Sequence, residues 1–337
     1  MHLSFCFGEH MFVKLLLGII LGCGFGMNFS YAETPLLEKP EVQHFIQEMV
    51  QKNHFSKSEV VAILSQAEFK PEIIQKITFP YEGKPWDVYR PIFLNAQKID
   101  GGVDFWRAHR AVLNQAEKKY GIPAEYIVAI LGVETIYGRQ QGTFRVFDAL
   151  TTLAFYFPKR APYFQYELKE YLLMCKEHHI QPTSLLGSYA GAMGMSQFMP
   201  SSYRKWAVSY NGHAAPDIAH NPNDAIFSIA NYLQKHGWSH REKVTQLAYY
   251  SHPKCDNLVT NTKKPIYHYR YLTQCGVKPA EKTWSHPSTA GLLEMTTAAG
   301  PEYWIGYPNF YVILTYNSSP LYGLAVYQLG QTIAKKV

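Results

Sequence analysis

The residues best suited to chemistry in this chain lie between Pro123 and Arg139, in the stretch PAEYIVAILGVETIYGR. Ile127, Ile130, Leu131 and Glu134 fall at i, i+3, i+4 and i+7, so the carboxyl of Glu134 lies on the helical stripe that should face the core. Burial disfavours the charged carboxylate, raises its pKa and leaves a proton to donate near neutral pH, as a general acid requires. The plainer reading is a Glu at the edge of the stripe, solvated or salt-bridged. A second run, Gly187 to Tyr203 (GSYAGAMGMSQFMPSSY), combines three glycines with the neutral polar side chains Ser188, Gln197, Ser201 and Ser202. Glycines there imply close backbone approach, and neutral donors and acceptors suit hydroxyl and acetamido groups. Its plainer reading is a turn between helices.

Other conspicuous residues invite simpler explanations. Lys176-Glu177-His178-His179 ends a helical pattern, where cations complement the dipole, and Lys335-Lys336 is a short charged tail. The Tyr249-Tyr250 and Tyr267–Tyr271 clusters either line a sugar groove or pack a β-rich segment. Of the five cysteines, Cys175, Cys255 and Cys275 lie beyond the leader and lack metal-ligand spacing. Cys255 and Cys275 could close a loop worth about 3 kcal/mol in an oxidising compartment, leaving Cys175 as a buried thiol. No metal or cofactor is expected.

The elements that must position these groups are mainly helical. Pro123 suits a first helical turn and Gly138 a helix end, which predicts about four turns around Glu134. Before it, Val42, Phe45 and Met49 form a stripe, Ser56 with Glu59 makes a capping box, and Asp104–Tyr120 is one longer helix ending at Gly121. After it come helices over Val146–Phe157, Pro162–His178 and Asn223–His236, the first two split by the basic turn Pro158-Lys159-Arg160. From about residue 245 the texture changes: Cys255–Cys275 is polar and Tyr-rich, and Trp304–Thr315 has the β-branched and aromatic content of strands. Pro320–Ile333 returns to helix. The expected fold is therefore mainly α with a small β insertion late in the chain. Its predicted divisions are residues 33–103, an N-terminal helical unit; 104–245, the core carrying Glu134; 246–315, the β-containing part; and 316–337, a C-terminal helix packing back on the helical part.

Composition bounds the class. With 337 residues, 47% hydrophobic and 17% charged, the chain has ample core-forming residues. Aromatics reach 15%, with 25 Tyr and 6 Trp, which suits either an aromatic core or a groove that stacks on sugar rings. The net charge of +6 favours an anionic partner such as a cell-wall polymer, a membrane surface or nucleic acid, but no basic stripe or recognition motif supports nucleic acid. Residues 1–32 have the pattern of an export signal: Lys14, the apolar run Leu15–Phe25, and the small-x-small site Ser30-Tyr31-Ala32. Cleavage after Ala32 is expected, with lipidation of Cys23 in Ile20-Leu21-Gly22-Cys23 as the alternative. No later segment is apolar enough to span a membrane.

Taken together, GVETIYGR and the glycine-rich run resemble the membrane-bound lytic murein transglycosylase B family. The resemblance continues in FYFPKRAPYFQYEL (Phe155–Leu168), DAIFSIANYLQKHGW (Asp224–Trp238) and GYPNFYVILTYNSSPLYGLAVYQLGQ (Gly306–Gln331). It implies a lysozyme-like helical core and a periplasmic enzyme, anchored to the outer membrane if Cys23 is lipidated, that cleaves peptidoglycan glycan strands. It places Glu134 as catalytic acid/base, with Lys159, Arg160, Tyr163, Ser188 and Gln197 along the substrate groove, and less securely Tyr232, Tyr316, Asn317 and Tyr89. Lys159 replaces an arginine usual in the family, which keeps charge but loses the planar fork. Some members hold calcium; here SYNGHAAPDIAHNPND lacks the D-x-[DN]-x-[DN]-G series, so none is expected. A monomer is expected, with cell-wall synthesis or division proteins as candidate partners. The readings that compete with lytic cleavage are a hydrolysing muramidase and an inactive peptidoglycan-binding protein.

Overall fold

Prolines and capping residues start the helices. Pro40 opens α1 (Pro40–Asn53), and the Ser56–Glu59 capping box opens α2 (Lys57–Leu64), with Glu59 N–H donating to Ser56 Oγ at 3.1 Å. The remaining helices are α3 (Pro71–Thr78), α4 (Trp86–Phe93), α5 (Ala96–Ala108), α6 (Arg110–Tyr120), α7 (Ala124–Thr135), α8 (Val146–Tyr156), α9 (Ala161–Glu177), α10 (Pro200–Trp206), α11 (Pro222–Lys235), α12 (Tyr269–Gln274), α13 (Pro308–Ile313) and α14 (Pro320–Ala334). The computed structural model describes residues 35–78, 84–212, 215–250, 255–261, 264–281 and 289–337. The expected leader, with its Lys14, Cys23 and Ala32 signals, lies outside the described residues. No helix among the described residues is long and apolar enough to cross a membrane.

The fold is mainly helical, with one small sheet late in the chain. At its centre runs α7, packed by α5, α6, α11 and α14, so that nearly every residue from Tyr126 to Val133 is buried. Burial on all faces, rather than on one stripe, makes α7 the axis of the core. Two short strands, β1 (Phe144–Arg145) and β2 (Leu186–Gly187), pair beside it and lead into the glycine-rich run.

The five-stranded antiparallel sheet has the order β4-β6-β7-β3-β5, from β3 (Thr245–Tyr249), β4 (Tyr267–His268), β5 (Lys278–Pro279), β6 (Thr289–Thr297) and β7 (Gly300–Gly306). Alternation along β6 and β7 serves two cores. Leu293, Met295 and Trp304 join the main helical core, while Leu292 and Ile305 join a satellite core with Leu272, Cys275 and Val277. Cys255 and Cys275 form a disulfide across this satellite, with Cα atoms 5.2 Å apart, and Cys175 is a buried free thiol.

Two elements differ from the sequence expectation. The single helix predicted over Asp104–Tyr120 is broken at His109, because α5 packs on α7 and α14 while α6 turns to pack on α11. No Gly or Pro marks that break. The strand predicted over Trp304–Thr315 ends at Gly306 and gives way to α13, since Pro308 donates no ladder hydrogen bond and presets the first helical turn.

Candidate active site

Glu134 sits in the last turn of α7, and that turn ends unusually. The helix stops at Thr135, and Ile136, Tyr137 and Gly138 follow with φ of 51°, 58° and 87°, three consecutive left-handed residues. The helix therefore ends one residue earlier than Gly138 as its C′ residue would make it. Left-handed backbone is costly for a β-branched residue and persists only where surrounding structure enforces it. Here the enforcement is specific. The Tyr137 hydroxyl donates to Lys98 O at 2.6 Å, its ring fills the space beside Gly132 that a Cβ would need, and Thr135 Oγ1 donates to Met195 O at 2.9 Å. The last bond joins the turn after Glu134 to the glycine-rich run.

The carboxyl of Glu134 faces a cavity of about 340 Å³ lined by Tyr89, Ile92, Phe93, Val133, Asn317 and Tyr322. Tyr322, near the start of α14, donates its hydroxyl proton to Glu134 Oε1 at 2.6 Å. Burial pushes the Glu134 pKa up to about 7, against the opposing pull of the Tyr322 hydrogen bond and of the Lys98 ammonium. The Tyr322 hydroxyl itself is held well above its ordinary pKa, by burial and then by the neighbouring carboxyl, so it stays a donor. An acid poised near neutrality, with one oxygen fixed and an open cavity before it, is equipped to deliver and recover a proton.

The structure gathers some of the expected substrate residues here and leaves others apart. Tyr89 and Asn317 line the Glu134 cavity directly. Tyr316 is partly buried, donates to Ser196 O at 2.7 Å and feels the Glu134 charge. Its ring meets that of Tyr232, with centroids 4.9 Å apart, and the Tyr232 hydroxyl donates to Thr315 O at 2.7 Å. Tyr163 follows outward, partly exposed, with the Arg160 guanidinium 4.7 Å from its ring centre. Arg160 and Lys159 are exposed on a single 3₁₀ turn and do not line the Glu134 cavity.

Ser188 and Gln197 do not line it either. Ser188 Oγ accepts the Ala190 and Ala192 amides, and Gln197 Nε2 donates to Gln141 O at 3.1 Å and Gly194 O at 2.9 Å. The close approach implied by the glycines is backbone on backbone: a Cβ on Gly187 would lie 2.2 Å from Ala192 O, and one on Gly142 2.0 Å from Gly187 O. The glycine-rich run and the segment after Glu134 are thus interlocked.

Two residues at the site escaped the sequence reading. Tyr322 lies 188 positions from Glu134, and nothing in SSPLYGL singles it out. Lys98 is buried, 7% exposed, on a helix whose sequence gives no sign of an inward lysine.

The segment compared with a calcium loop is held by its own carboxylates. Asp224 accepts the Tyr210 and Asp217 amides, each at 2.8 Å, and Asp217 accepts those of Ala219 and His220. Among the described residues no group of three or more His, Cys, Asp or Glu side chains is placed to hold a metal ion.

Comparison with known proteins places these features in context. The family model described as "Transglycosylase SLT domain" matches residues 38–331. The chain is 39% identical over 305 residues to the membrane-bound lytic murein transglycosylase B of Escherichia coli (strain K12), covering 88% of this chain and 83% of that protein. It is similar to the crystal structure of the soluble lytic transglycosylase SltB1 from Pseudomonas aeruginosa, with 42% identity, a TM-score of 0.82, and coverage of 88% and 99%. The Escherichia coli lytic transglycosylase Slt35 in complex with calcium matches with 39% identity, a TM-score of 0.79, and coverage of 89% and 94%. More distantly, at 25% identity and a TM-score of 0.73, covering 87% and 78%, SltB3 from Pseudomonas aeruginosa was solved in complex with NAG-anhNAM-pentapeptide.

Proposed function

Because this chain belongs to the transglycosylase SLT domain family and is a peptidoglycan lytic transglycosylase, we propose that Glu134 is its single acid/base and that its product is a 1,6-anhydromuramoyl end. The observation that carries this reading is the cavity itself: among the described residues lining it, Glu134 is the one carboxyl, raised to a pKa of about 7. Ordinary retaining and inverting glycosidases need a second carboxyl, as nucleophile or as base for water. A muramoyl substrate supplies the missing groups from its own ring.

The reaction runs in two proton transfers. Protonated Glu134 donates to the glycosidic oxygen between MurNAc and GlcNAc as the C1–O bond breaks, and the acetamido carbonyl supports the charge developing at C1. The Glu134 carboxylate then takes the proton of the C6 hydroxyl as O6 bonds to C1, which closes the anhydro ring and restores the neutral acid. No water is consumed, because an intramolecular nucleophile at high effective molarity replaces it. Tyr322 fits both steps: its hydroxyl holds one carboxyl oxygen in place while the other remains free to exchange the proton.

The groove residues take roles outward from the acid. Tyr89 and Asn317 contact the sugar at the cleavage point, and exposed Tyr163 offers a stacking face beyond it, while Tyr232 is buried against His236 and Tyr316. Arg160 and Lys159 meet acidic groups of the glycan or its peptide. Ser188 and Gln197 act indirectly, through the loop backbone that their bonds fix. Binding of a NAG-anhNAM-pentapeptide by SltB3 supports a peptidoglycan ligand of the same class. The name of the Escherichia coli relative supports a location at the membrane, reached by export and either cleavage after Ala32 or lipidation of Cys23.

Mass spectrometry of purified sacculi digested by the protein tests the reading. Anhydromuramoyl ends are the expected result, absent from a Glu134→Gln digest. Reducing ends with incorporation of solvent oxygen would instead identify a hydrolase, and an unchanged sacculus with wild type an inactive binding protein.

A further inference from the structure

The end of α7 leaves backbone carbonyls without their usual partners. In a regular helix Gly132 O and Val133 O would accept the amides of Ile136 and Tyr137. The left-handed turn diverts both amides to Leu131 O, so the two carbonyls immediately before Glu134 lose their helical donors. The Lys98 ammonium replaces them. It donates to Gly132 O at 2.7 Å and Val133 O at 3.3 Å, and lies 5.1 Å from the centre of the Phe93 ring, which itself lines the Glu134 cavity.

A buried lysine is costly unless its charge meets compensating dipoles. Here it sits at the negative end of the helix dipole, beside two carbonyls, and no carboxylate is hydrogen-bonded to it among the described residues. The same α5 residue is tied to the turn a second time, because its own carbonyl accepts the Tyr137 hydroxyl at 2.6 Å.

We propose that Lys98 is a positioning residue for Glu134: its ammonium fixes the two peptide carbonyls that precede the catalytic carboxyl, and its fixed charge stabilises the carboxylate that forms as the glycosidic bond breaks. The inference rests on Glu134 acting as acid and then base. The titratable groups facing Glu134 are Lys98 from α5, Tyr322 from α14 and Tyr316 from the α13–α14 connection, with Tyr89 of α4 bearing on Tyr322. Lys98 is the one cation among them. Burial drives its pKa down against the opposing Glu134 charge, to about 8, so cation and acid are electrostatically coupled.

Three variants separate the effects. Lys98→Met removes charge and hydrogen bonds, Lys98→Gln keeps an amide donor without charge, and Lys98→Arg keeps both. For Met and Gln the expected result is kcat lowered about tenfold with KM little changed, and an alkaline limb of kcat/KM moved up by about one pH unit, as loss of a neighbouring cation requires. Arg should restore most of kcat and return the limb toward the wild-type position. Profiles of Met and Gln that overlay the wild type would overturn the proposal, as would failure of both to fold, which would leave Lys98 a helix cap alone. Glu134→Gln serves as the control: if it retains activity, the acid/base reading fails, whereas an inactive Glu134→Gln with unshifted Lys98 variants removes only the role of Lys98.

Discussion

The Tyr322 hydroxyl and the Glu134 carboxyl, separated by 188 positions in the chain, meet at 2.6 Å across the junction of α14 and α7. This bond decides which carboxyl oxygen is anchored and which is free for chemistry. It also opposes the rise in pKa that burial imposes, because a donor to the carboxylate favours the charged form.

Replacement of Tyr322 by Phe should therefore raise the Glu134 pKa above about 7 while loosening the carboxyl. The expected outcome is a loss of roughly 10- to 100-fold in kcat, the value of one hydrogen bond to a charged group, with the alkaline limb displaced to higher pH. Steady-state kinetics on a soluble muropeptide chain across pH 5–9 checks both. An unshifted limb would detach Tyr322 from the titration of Glu134.

In the wild type, the acid must be protonated when substrate arrives. With a folded-state pKa of about 7, kcat/KM should lose its dependence on this group below pH 6 and decline above 7. A decline centred near pH 4.5 would instead describe a solvated carboxyl.

Glu134→Gln should abolish cleavage, by at least about 10³-fold, and stabilise the fold at alkaline pH. The folded pKa of Glu134 is raised above its ordinary value of 4.5, so the native state binds this proton more tightly than the unfolded chain does. Its stabilising contribution is full below pH 4.5 and is lost as pH rises through about 7. At pH 8 the Gln variant should exceed the wild type by about 3 kcal/mol, and near pH 4 the gap should close. Denaturant melts at the two pH values measure it.

Gly142 couples the segment after Glu134 to the glycine-rich run at backbone distance. Its φ is 101°, and a Cβ would lie 2.0 Å from Gly187 O. Gly142→Ala should cost several kcal/mol or prevent folding. Gly121→Ala, at φ of 72° with nothing within 4 Å of the added Cβ, should cost only about 1 kcal/mol. Thermal melts of the pair distinguish steric approach from conformational strain.

The Cys255–Cys275 disulfide spans 20 residues and closes the satellite core, away from Glu134. Replacing both cysteines by alanine should destabilise the sheet region by about 3 kcal/mol while leaving cleavage largely intact. Hydrogen exchange should quicken in Tyr269–Val277 and stay unchanged in α7. Equal acceleration in both would show the two cores to unfold as one.

Much of this protein was legible from local sequence. A proline set where α14 begins, the Ser56–Glu59 pair capped α2, and Glu134 stood out as a carboxyl among apolar residues, because capping and periodicity act over only a few residues. Those signals did not reach across the molecule. The break at His109 and the helical turn after Pro308 depend on which neighbours α6 and α13 pack against. Glu134 was expected to face the core from one stripe. Instead α7 is buried on nearly all sides, and the direction of this one carboxyl is set by a turn of three left-handed residues. At that turn Tyr137 fills the space beside Gly132, and Lys98 donates to the carbonyls the turn leaves over. The sequence thus determined that an acid would sit at the end of a central helix. Only the tertiary structure decided its charge and aim, since a pKa and an orientation belong to the groups brought around a residue, and here those groups come from α4, α5 and α14.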